Sequence, residues 1–327
     1  MKRNTLKRLG AAFLAAAMVL QSFGGMATVS AAETTQMTSE KEVVYANVYG
    51  NTARELDFND NWKFYLGDAS GAEGANFDDS AWRNVNVPHD YSIEQEYTSA
   101  GEAESGYLLG GTGWYRKHFT LNSDLEGKEI RIDFGGVYMN ATVWVNGTKL
   151  GTHPFGYTPF SFDITDYVKI GEENVITVKV DHQTPSSRWY SGSGIYRSVN
   201  LTVMNPVHVD LYGTKIATPN LETEKDGTVN MEIKTTVVND NEGNVTDISL
   251  VHSVYEKGSD EPVAVQETDA FTMKGETSTE KTAVVKVAKP KLWSTKTPNL
   301  YTVVTEVKVG DQVADTYETE YGFRYIK

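Results

Sequence analysis

The feature that most narrows what this chain can become is a hydrophobic alternation of period two, broken by turn residues roughly every ten positions. Glu129-Ile130-Arg131-Ile132-Asp133-Phe134 alternates, as do Phe160-Ser161-Phe162-Asp163-Ile164 and Asn174-Val175-Ile176-Thr177-Val178-Lys179-Val180. Period two sends successive side chains to opposite faces, as in a half-buried strand, whereas a helix needs apolar residues three and four apart. Ala141-Thr142-Val143-Trp144-Val145 and Thr148-Lys149-Leu150-Gly151 flank Asn146-Gly147. That dipeptide suits the positive φ angles of a type I′ hairpin turn. Trp144 is expected to point into the core with this hairpin, and Gly113-Trp114-Tyr115-Arg116 to open a core strand. Helix signals are weak; Asp78-Asp79-Ser80-Ala81-Trp82 could cap one turn. The expected fold class is all-β.

Near Asn205-Pro206 the texture changes. Every tryptophan but Trp293 precedes this point, and the remainder of the chain is richer in Thr, Val, Lys and Glu. Strands are predicted at 207–217, 229–238, 247–256, 262–268, 280–288, 300–309 and 313–321. Seven short strands in this space describe an immunoglobulin-like β-sandwich, although without a cysteine pair it is not of the antibody type. The earlier part, 43–205, reads as a jelly-roll sandwich. The immunoglobulin-like part is expected over 206–327, and 33–42 is a polar, flexible segment.

Residues 1–32 are a separate object. Lys2, Arg3, Lys7 and Arg8 form a basic head, Leu9 to Leu20 an apolar core, and Ser30-Ala31-Ala32 a small-residue cleavage site. Together they make a secretory signal peptide, too short in its apolar part to span a bilayer. Its loss takes the formal charge from −14 to −18, since four bases and no acid leave with it. Such a surface repels nucleic acid and anionic membranes. No later run is apolar enough to cross a membrane, so a secreted, extracellular protein is expected. The chain has no cysteine, which excludes disulfides, thiolate metal sites and a cysteine nucleophile. The six histidines show no ligand spacing, so no metal or other cofactor is expected. His89 reads as a structural hydrogen-bonder.

One loop stands apart. Arg188-Trp189-Tyr190-Ser191-Gly192-Ser193-Gly194 sets an arginine and two aromatics beside four small residues. A phosphate loop would need a helix after the glycines, yet Ile195 to Val203 has mostly strand period. Five motifs now stand in order: Asn86-Val87-Pro88-His89-Asp90-Tyr91-Ser92; Gly113-Trp114-Tyr115-Arg116-Lys117; the loop with Gly194-Ile195-Tyr196-Arg197; Pro290-Lys291-Leu292-Trp293-Ser294 with Thr297-Pro298-Asn299-Leu300-Tyr301; and Tyr321-Gly322-Phe323-Arg324. In this order and spacing the chain resembles the N-terminal half of a glycoside hydrolase family 2 enzyme over nearly all of 43–327. Its PHDYS and RWYSGSGIYR forms are most similar to those of secreted bacterial β-galactosidases.

The resemblance implies a jelly-roll sugar-binding domain, an immunoglobulin-like domain, and then a (β/α)₈ barrel that carries both catalytic glutamates. A barrel takes about 250 residues, and this sequence stops at Ile326-Lys327, where the family's barrel would begin. No catalytic residue is therefore expected here, and the chain alone is expected to be inactive. The missing barrel and a β-galactoside-type carbohydrate are the implied partners. In the family the 188–194 loop borders the barrel mouth, which makes Arg188, Trp189, Tyr190 and Asp90 the candidate substrate-binding residues. Their chemistry fits: a guanidinium fork for hydroxyls, ring faces for the sugar C–H surface, and a carboxylate beside Pro88. The plainer readings are aromatics packed between domains, Arg188 paired with a carboxylate, and Asp90 closing an Asx turn. Some family members carry a carboxylate at the Arg188 position. Arg197 and Arg324 are expected in ion pairs at domain junctions, and Trp293 and Tyr301 inside the second sandwich. The competing functions are a stand-alone secreted lectin or adhesin and a structural surface sandwich without ligand. N-terminal sequencing of the exported protein should read from Glu33 or an immediate neighbour; a start elsewhere, or an uncut Met1, would contradict the leader.

Overall fold

The computed structural model describes residues 42–44 and 54–326. The expected leader, 1–32, and the expected flexible segment, 33–42 apart from Glu42, lie outside the described residues. Strands dominate, and the fold is all-β, a jelly-roll sandwich followed by an immunoglobulin-like one.

The first sandwich faces a seven-stranded sheet against a four-stranded one. The larger sheet runs in the order Arg83–Val85, Trp62–Leu66, Gly111–Leu121, Glu173–His182, Ala141–Val145, Thr148–His153, with Glu42–Val44 added parallel to Gly111–Leu121. The smaller is ordered Phe160–Asp163, Glu129–Phe134, Val199–Met204, Glu55–Asp57. Alternation decides which residues meet between them. Ile130, Ile132 and Phe134 from one sheet and Val143, Val145, Ile176 and Val178 from the other are buried in one core with Trp62, Tyr115 and Phe119. Each such side chain contributes about 1.5–3 kcal/mol by leaving water. An exposed ion pair such as Lys169–Glu172 adds at most about 1 kcal/mol, so the core holds the sandwich together.

The same parity corrects one expectation. Val143 and Val145 point inward, so Trp144 between them faces out, half-buried, and stacks on Trp114 at 5.8 Å in a satellite cluster with Trp82 and Ala72. Gly111–Leu121 is a core strand as expected, but it buries Arg116 and Lys117 completely. Arg116 donates from Nε to Asp79 at 2.7 Å, and from Nη1 to Thr177 at 2.9 Å and to the Gly74 carbonyl at 3.0 Å. Asp79 also meets His118 Nε2 at 2.8 Å. This buried guanidinium fastens the 69–80 loop to the sheet, because every polar atom it brings inside finds a partner. Asp78 to Trp82 forms a turn rather than a helix, with Ser80 N–H donating to Asp78 Oδ1 at 3.0 Å.

The second sandwich pairs Val207–Ala217, Thr228–Asn239 and Thr277–Ala288 in one sheet. The other holds Pro262–Glu267, Val245–Glu256, Tyr301–Val309 and Gln312–Tyr321, with Phe271–Met273 on Val245–Glu256. Seven of these match the predicted strands closely; Phe271–Met273 is too short to show a period. Tyr301 is buried, whereas Trp293 is half-buried under the Arg324 guanidinium at 5.4 Å. Arg197 lies over the Tyr196 ring at 5.4 Å and donates weakly to the Gly135 carbonyl. Neither arginine makes an ion pair among the described residues, so the expected junction pairs are replaced by ring contacts. The contact between the sandwiches rests instead on Arg54. It donates to Asp315 at 3.1 Å and to the Val209 carbonyl at 3.0 Å, while Asp315 accepts the Val209 N–H at 2.8 Å.

The core of this sandwich is divided. Inward positions Val229, Met231 and Ile233 belong to one apolar cluster and Val237 to another, with Thr235 between them. His252 separates Leu250 from Val254 in the same way, and Thr305 separates Val303 from Val307. All three polar residues are fully buried, and His252 Nδ1 meets Thr305 Oγ1 at 3.0 Å. His252 Nε2 and Thr235 Oγ1 have no partner among the described residues. Burial pushes the His252 imidazole down to about 4 from its ordinary 6.5. A depressed histidine pKa means the unfolded chain takes up the proton first, so stability falls as pH drops from 6.5 to 4 and levels off below. Replacing the ring removes that penalty, which a shift of this size puts at about 3 kcal/mol. The stability of His252→Leu relative to the parent, measured by urea unfolding, should therefore rise as pH falls from 6.5 to 4; a difference that stays flat with pH would contradict the neutral buried ring.

Candidate functional site

At one end of the jelly roll the segment after strand Arg83–Val85 crosses the Val87–Pro88 peptide, which is cis, and meets the loop that precedes strand Gly194–Ile195. The two backbones pair: His89 N–H donates to the Ile195 carbonyl at 2.7 Å and Tyr91 N–H to the Ser193 carbonyl at 2.9 Å. Asp90 lies between these bonds. Its Oδ1 accepts the Ser92 N–H at 2.9 Å, closing an Asx turn, and the Ser193 N–H at 2.8 Å. Its Oδ2 accepts the Tyr190 hydroxyl at 2.5 Å. Burial and this carboxylate together push the Tyr190 phenol well above its usual range, so it stays a donor.

The glycines have a specific task here. Gly194 has φ +119°, and a Cβ there would lie 2.3 Å from the Tyr115 hydroxyl and 2.7 Å from the His89 carbonyl. Gly192, at φ +73°, passes over Asp90 so closely that a Cβ would meet Oδ2 at 2.8 Å. His89 is a structural hydrogen-bonder, with Nδ1 on the Tyr115 hydroxyl at 2.7 Å and Nε2 near Glu94 at 3.2 Å. Burial lowers its pKa against the opposing pull of Glu94. Among the described residues no group of three or more histidine, aspartate or glutamate side chains could hold a metal.

The structure brings three of the sequence-predicted residues into one connected rim. Trp189 is 59% exposed and Tyr190 41% exposed, so neither packs between the sandwiches. The Trp189 indole N–H donates to the Tyr157 hydroxyl at 2.8 Å. Tyr157 lies against Tyr138 at 5.2 Å and edge-on to Phe155 at 5.6 Å. Asp90 joins the rim through Tyr190. Arg188 is exposed, and its guanidinium has no hydrogen bond or carboxylate among the described residues. Sequence reasoning passed over Phe155 and Tyr157, although Pro154-Phe155-Gly156-Tyr157 shows the same cue as the chosen loop, aromatics beside a glycine between strands. It also passed over Tyr97, which is 76% exposed and within electrostatic reach of Tyr190.

A cleft of about 1050 Å³ opens elsewhere, between the two sandwiches, lined among others by Arg54, Arg131, Tyr212 and Tyr317. None of the four predicted site residues lines it. The rim is instead an open edge of rings with a free guanidinium. It can stack on a sugar face and direct donors at hydroxyls.

Residues 56–205 match the family model described as "Glycosyl hydrolases family 2, sugar binding domain", and residues 210–324 match "Glycosyl hydrolases family 2". The chain is similar to the beta-galactosidase BoGH2A of Bacteroides ovatus, 40% identical over 82% of this chain and 31% of that protein. It is 37% identical to a putative beta-glucuronidase of Formosa agariphila, over 83% of this chain and 25% of that one. Among solved structures, a glycosyl hydrolase family 2 member from Bacteroides cellulosilyticus superposes with a TM-score of 0.78 at 37% identity, covering 84% of this chain and 36% of that chain. A beta-glucuronidase from glycoside hydrolase family 2 superposes with 0.76 at 30% identity, covering 83% and 30%. The chain thus spans about a third or less of the length of the relatives it matches.

The geometry separates what holds the rim from what the rim presents. Gly194→Ala should cost about 2–4 kcal/mol, because the new Cβ overlaps Tyr115 and the backbone is strained. Arg188→Ala should change stability by no more than about 0.5 kcal/mol. Urea unfolding checks both, and equal losses would contradict this division.

Proposed function

The chain belongs to glycoside hydrolase family 2, and on that premise we propose that it is the non-catalytic N-terminal part of a secreted, β-galactosidase-like hydrolase, lending its jelly-roll rim to the sugar pocket. The observation that carries this reading is the exposed Trp189–Tyr190 pair, held by Tyr157 and Asp90 while Arg188 stays uncommitted. Stacking on a pyranose face suits Trp189; hydrogen bonding to ring hydroxyls suits Arg188 and the Tyr190–Asp90 pair. Asp90 Oδ2 accepts from Tyr190 alone among the described residues, which leaves it capacity for a sugar hydroxyl.

Hydrolysis with retention needs two carboxyl groups about 5–5.5 Å apart across the scissile bond. The described residues form two sandwiches with no (β/α)₈ barrel. We assign the acid/base and the nucleophile to a barrel that docks at this rim. Export through the leader at 1–32 agrees with the acidic charge, and no helix among the described residues is long and apolar enough to cross a membrane.

The purified chain should leave a chromogenic β-galactoside intact, and fusion to a family barrel should give turnover. In the fusion, Arg188→Ala should raise KM about tenfold, the worth of one charge-assisted hydrogen bond. Hydrolysis by the chain alone, or an Arg188→Ala fusion with unaltered kinetics, would contradict the assignment. Submillimolar galactoside affinity without a barrel would instead favour a stand-alone lectin.

A further inference from the structure

Beneath the rim runs a hydrogen-bond chain, buried at Ser92, Ser193, His182 and Tyr138 and exposed at Ser186, whose direction follows from where Ser92 sends its proton. Ser92 Oγ donates to the Leu109 carbonyl at 2.8 Å, and a carbonyl can only accept. That carbonyl also accepts from Gln95 Nε2 at 2.9 Å, and the direction of the chain follows once the one hydroxyl proton of Ser92 is given to it. Ser92 Oγ also lies 2.5 Å from Ser193 Oγ, and on that assignment Ser193 is the donor in the contact. Ser193 Oγ in turn lies 2.5 Å from His182 Nδ1, and with its own proton spent it can only accept there. His182 Nδ1 therefore carries the imidazole proton. Nε2 is then the acceptor, 2.9 Å from Ser186 Oγ, which donates to it and accepts the Tyr138 hydroxyl at 3.1 Å. Each group gives one proton to the next, from Tyr138 to Leu109, and none is left over.

Two members of this chain, Ser186 and Ser193, belong to the rim loop and lie on either side of His182. Strand Glu173–His182 ends at His182, and the following segment, which carries Arg188, Trp189 and Tyr190, has no regular structure until Gly194. His182 holds Ser186 near the start of that segment and Ser193 at its end, while its own ring is 3% exposed and edge-on to Tyr138 at 4.9 Å. Closing a flexible loop at its neck removes much of its conformational freedom. Tyr138 also packs against Tyr157, the acceptor of the Trp189 indole, so the same chain reaches the rim from below.

Resting on the reading of the rim as a sugar site, we propose that His182, fixed as its neutral Nδ1–H tautomer, is the positioning residue that staples the 186–193 loop shut and sets the Trp189–Tyr190 platform for a pyranoside. It touches no sugar; it acts through Ser186 and Ser193. Asp90 and Asp181 are the carboxylates near enough to favour its charged form, and burial opposes them, leaving the ring less basic than a free histidine.

The test is nitrogen-15 NMR of histidine-labelled protein at neutral pH, with the His182 ring assigned by its nuclear Overhauser contacts to Tyr138. The expected spectrum shows the Nδ1–H tautomer. An Nε2–H tautomer, or a ring that titrates freely near 6.5, would overturn the proposal. Ser193→Ala removes the acceptor of the Nδ1 proton with little change in volume. It should abolish the tautomer preference, speed solvent exchange of the Trp189 indole N–H about tenfold, and weaken methyl β-galactoside binding by a similar factor. An unchanged tautomer and unchanged indole exchange in Ser193→Ala would also overturn it. The tautomer and indole readouts need no sugar. A protein that shows both effects yet never responds to galactoside supports the staple and removes the sugar reading of the rim.

Discussion

The candidate site depends on the Asp90 carboxylate. A single side chain accepts from Ser92 in its own segment, from Ser193 across the loop, and from the Tyr190 hydroxyl above. Without it, the backbone bonds at His89 and Tyr91 and the Ser92–Ser193 hydroxyl contact would be left to tie the segments, and Gly192 would lose the surface over which it turns. Charge-assisted hydrogen bonds from backbone N–H groups are among the stronger ones a protein makes. Here they are used to hold a mobile type of sequence, Ser-Gly-Ser-Gly, in one shape. The glycines are needed because the segments approach closer than a Cβ permits, and the carboxylate is needed because glycines alone would not stay there.

Rigidity below and exposure above are two parts of one arrangement. The jelly-roll core is apolar and continuous, and it anchors the strands from which the rim loops emerge. Polar groups that enter it, such as Arg116 and Lys117, bring their hydrogen-bond partners with them. The second sandwich tolerates a polar belt of Thr235, His252 and Thr305 that splits its core in two. The rings at the rim are left in water although burying them would stabilise the fold. Apolar surface left exposed on a rigid edge is the usual mark of a surface that meets something else.

Much of the fold was legible because period-two alternation is imposed by backbone geometry and survives any tertiary context. The strands of the second sandwich and the Asn146-Gly147 hairpin, with φ of +51° and +84°, arise directly from it. Trp144 is expected inward with the hairpin, but Ala141, Val143 and Val145 take the inner face, so the same alternation turns Trp144 outward. Gly113-Trp114-Tyr115-Arg116 reads as a core strand, but nothing in the sequence shows that Asp79 and the Gly74 carbonyl return to meet the Arg116 guanidinium inside it. The site was legible in part. Composition flags Arg188-Trp189-Tyr190, but the tie between Asp90 and Ser193 joins residues far apart in the chain, and no local pattern encodes it. The hydrogen-bond chain through His182 was invisible for the same reason, being made of serines that are individually ordinary in sequence.

The central claim is that the edge formed by the 87–97, 154–158 and 186–193 segments meets a sugar. Backbone-amide NMR of the isotopically labelled protein, titrated with methyl β-galactoside to tens of millimolar, tests it most directly. The account predicts weak, fast-exchanging shifts confined to those three segments, as befits part of a pocket rather than the whole. Shifts clustered instead around Arg131 and Tyr212 in the cleft between the sandwiches, or no shifts anywhere, would contradict it.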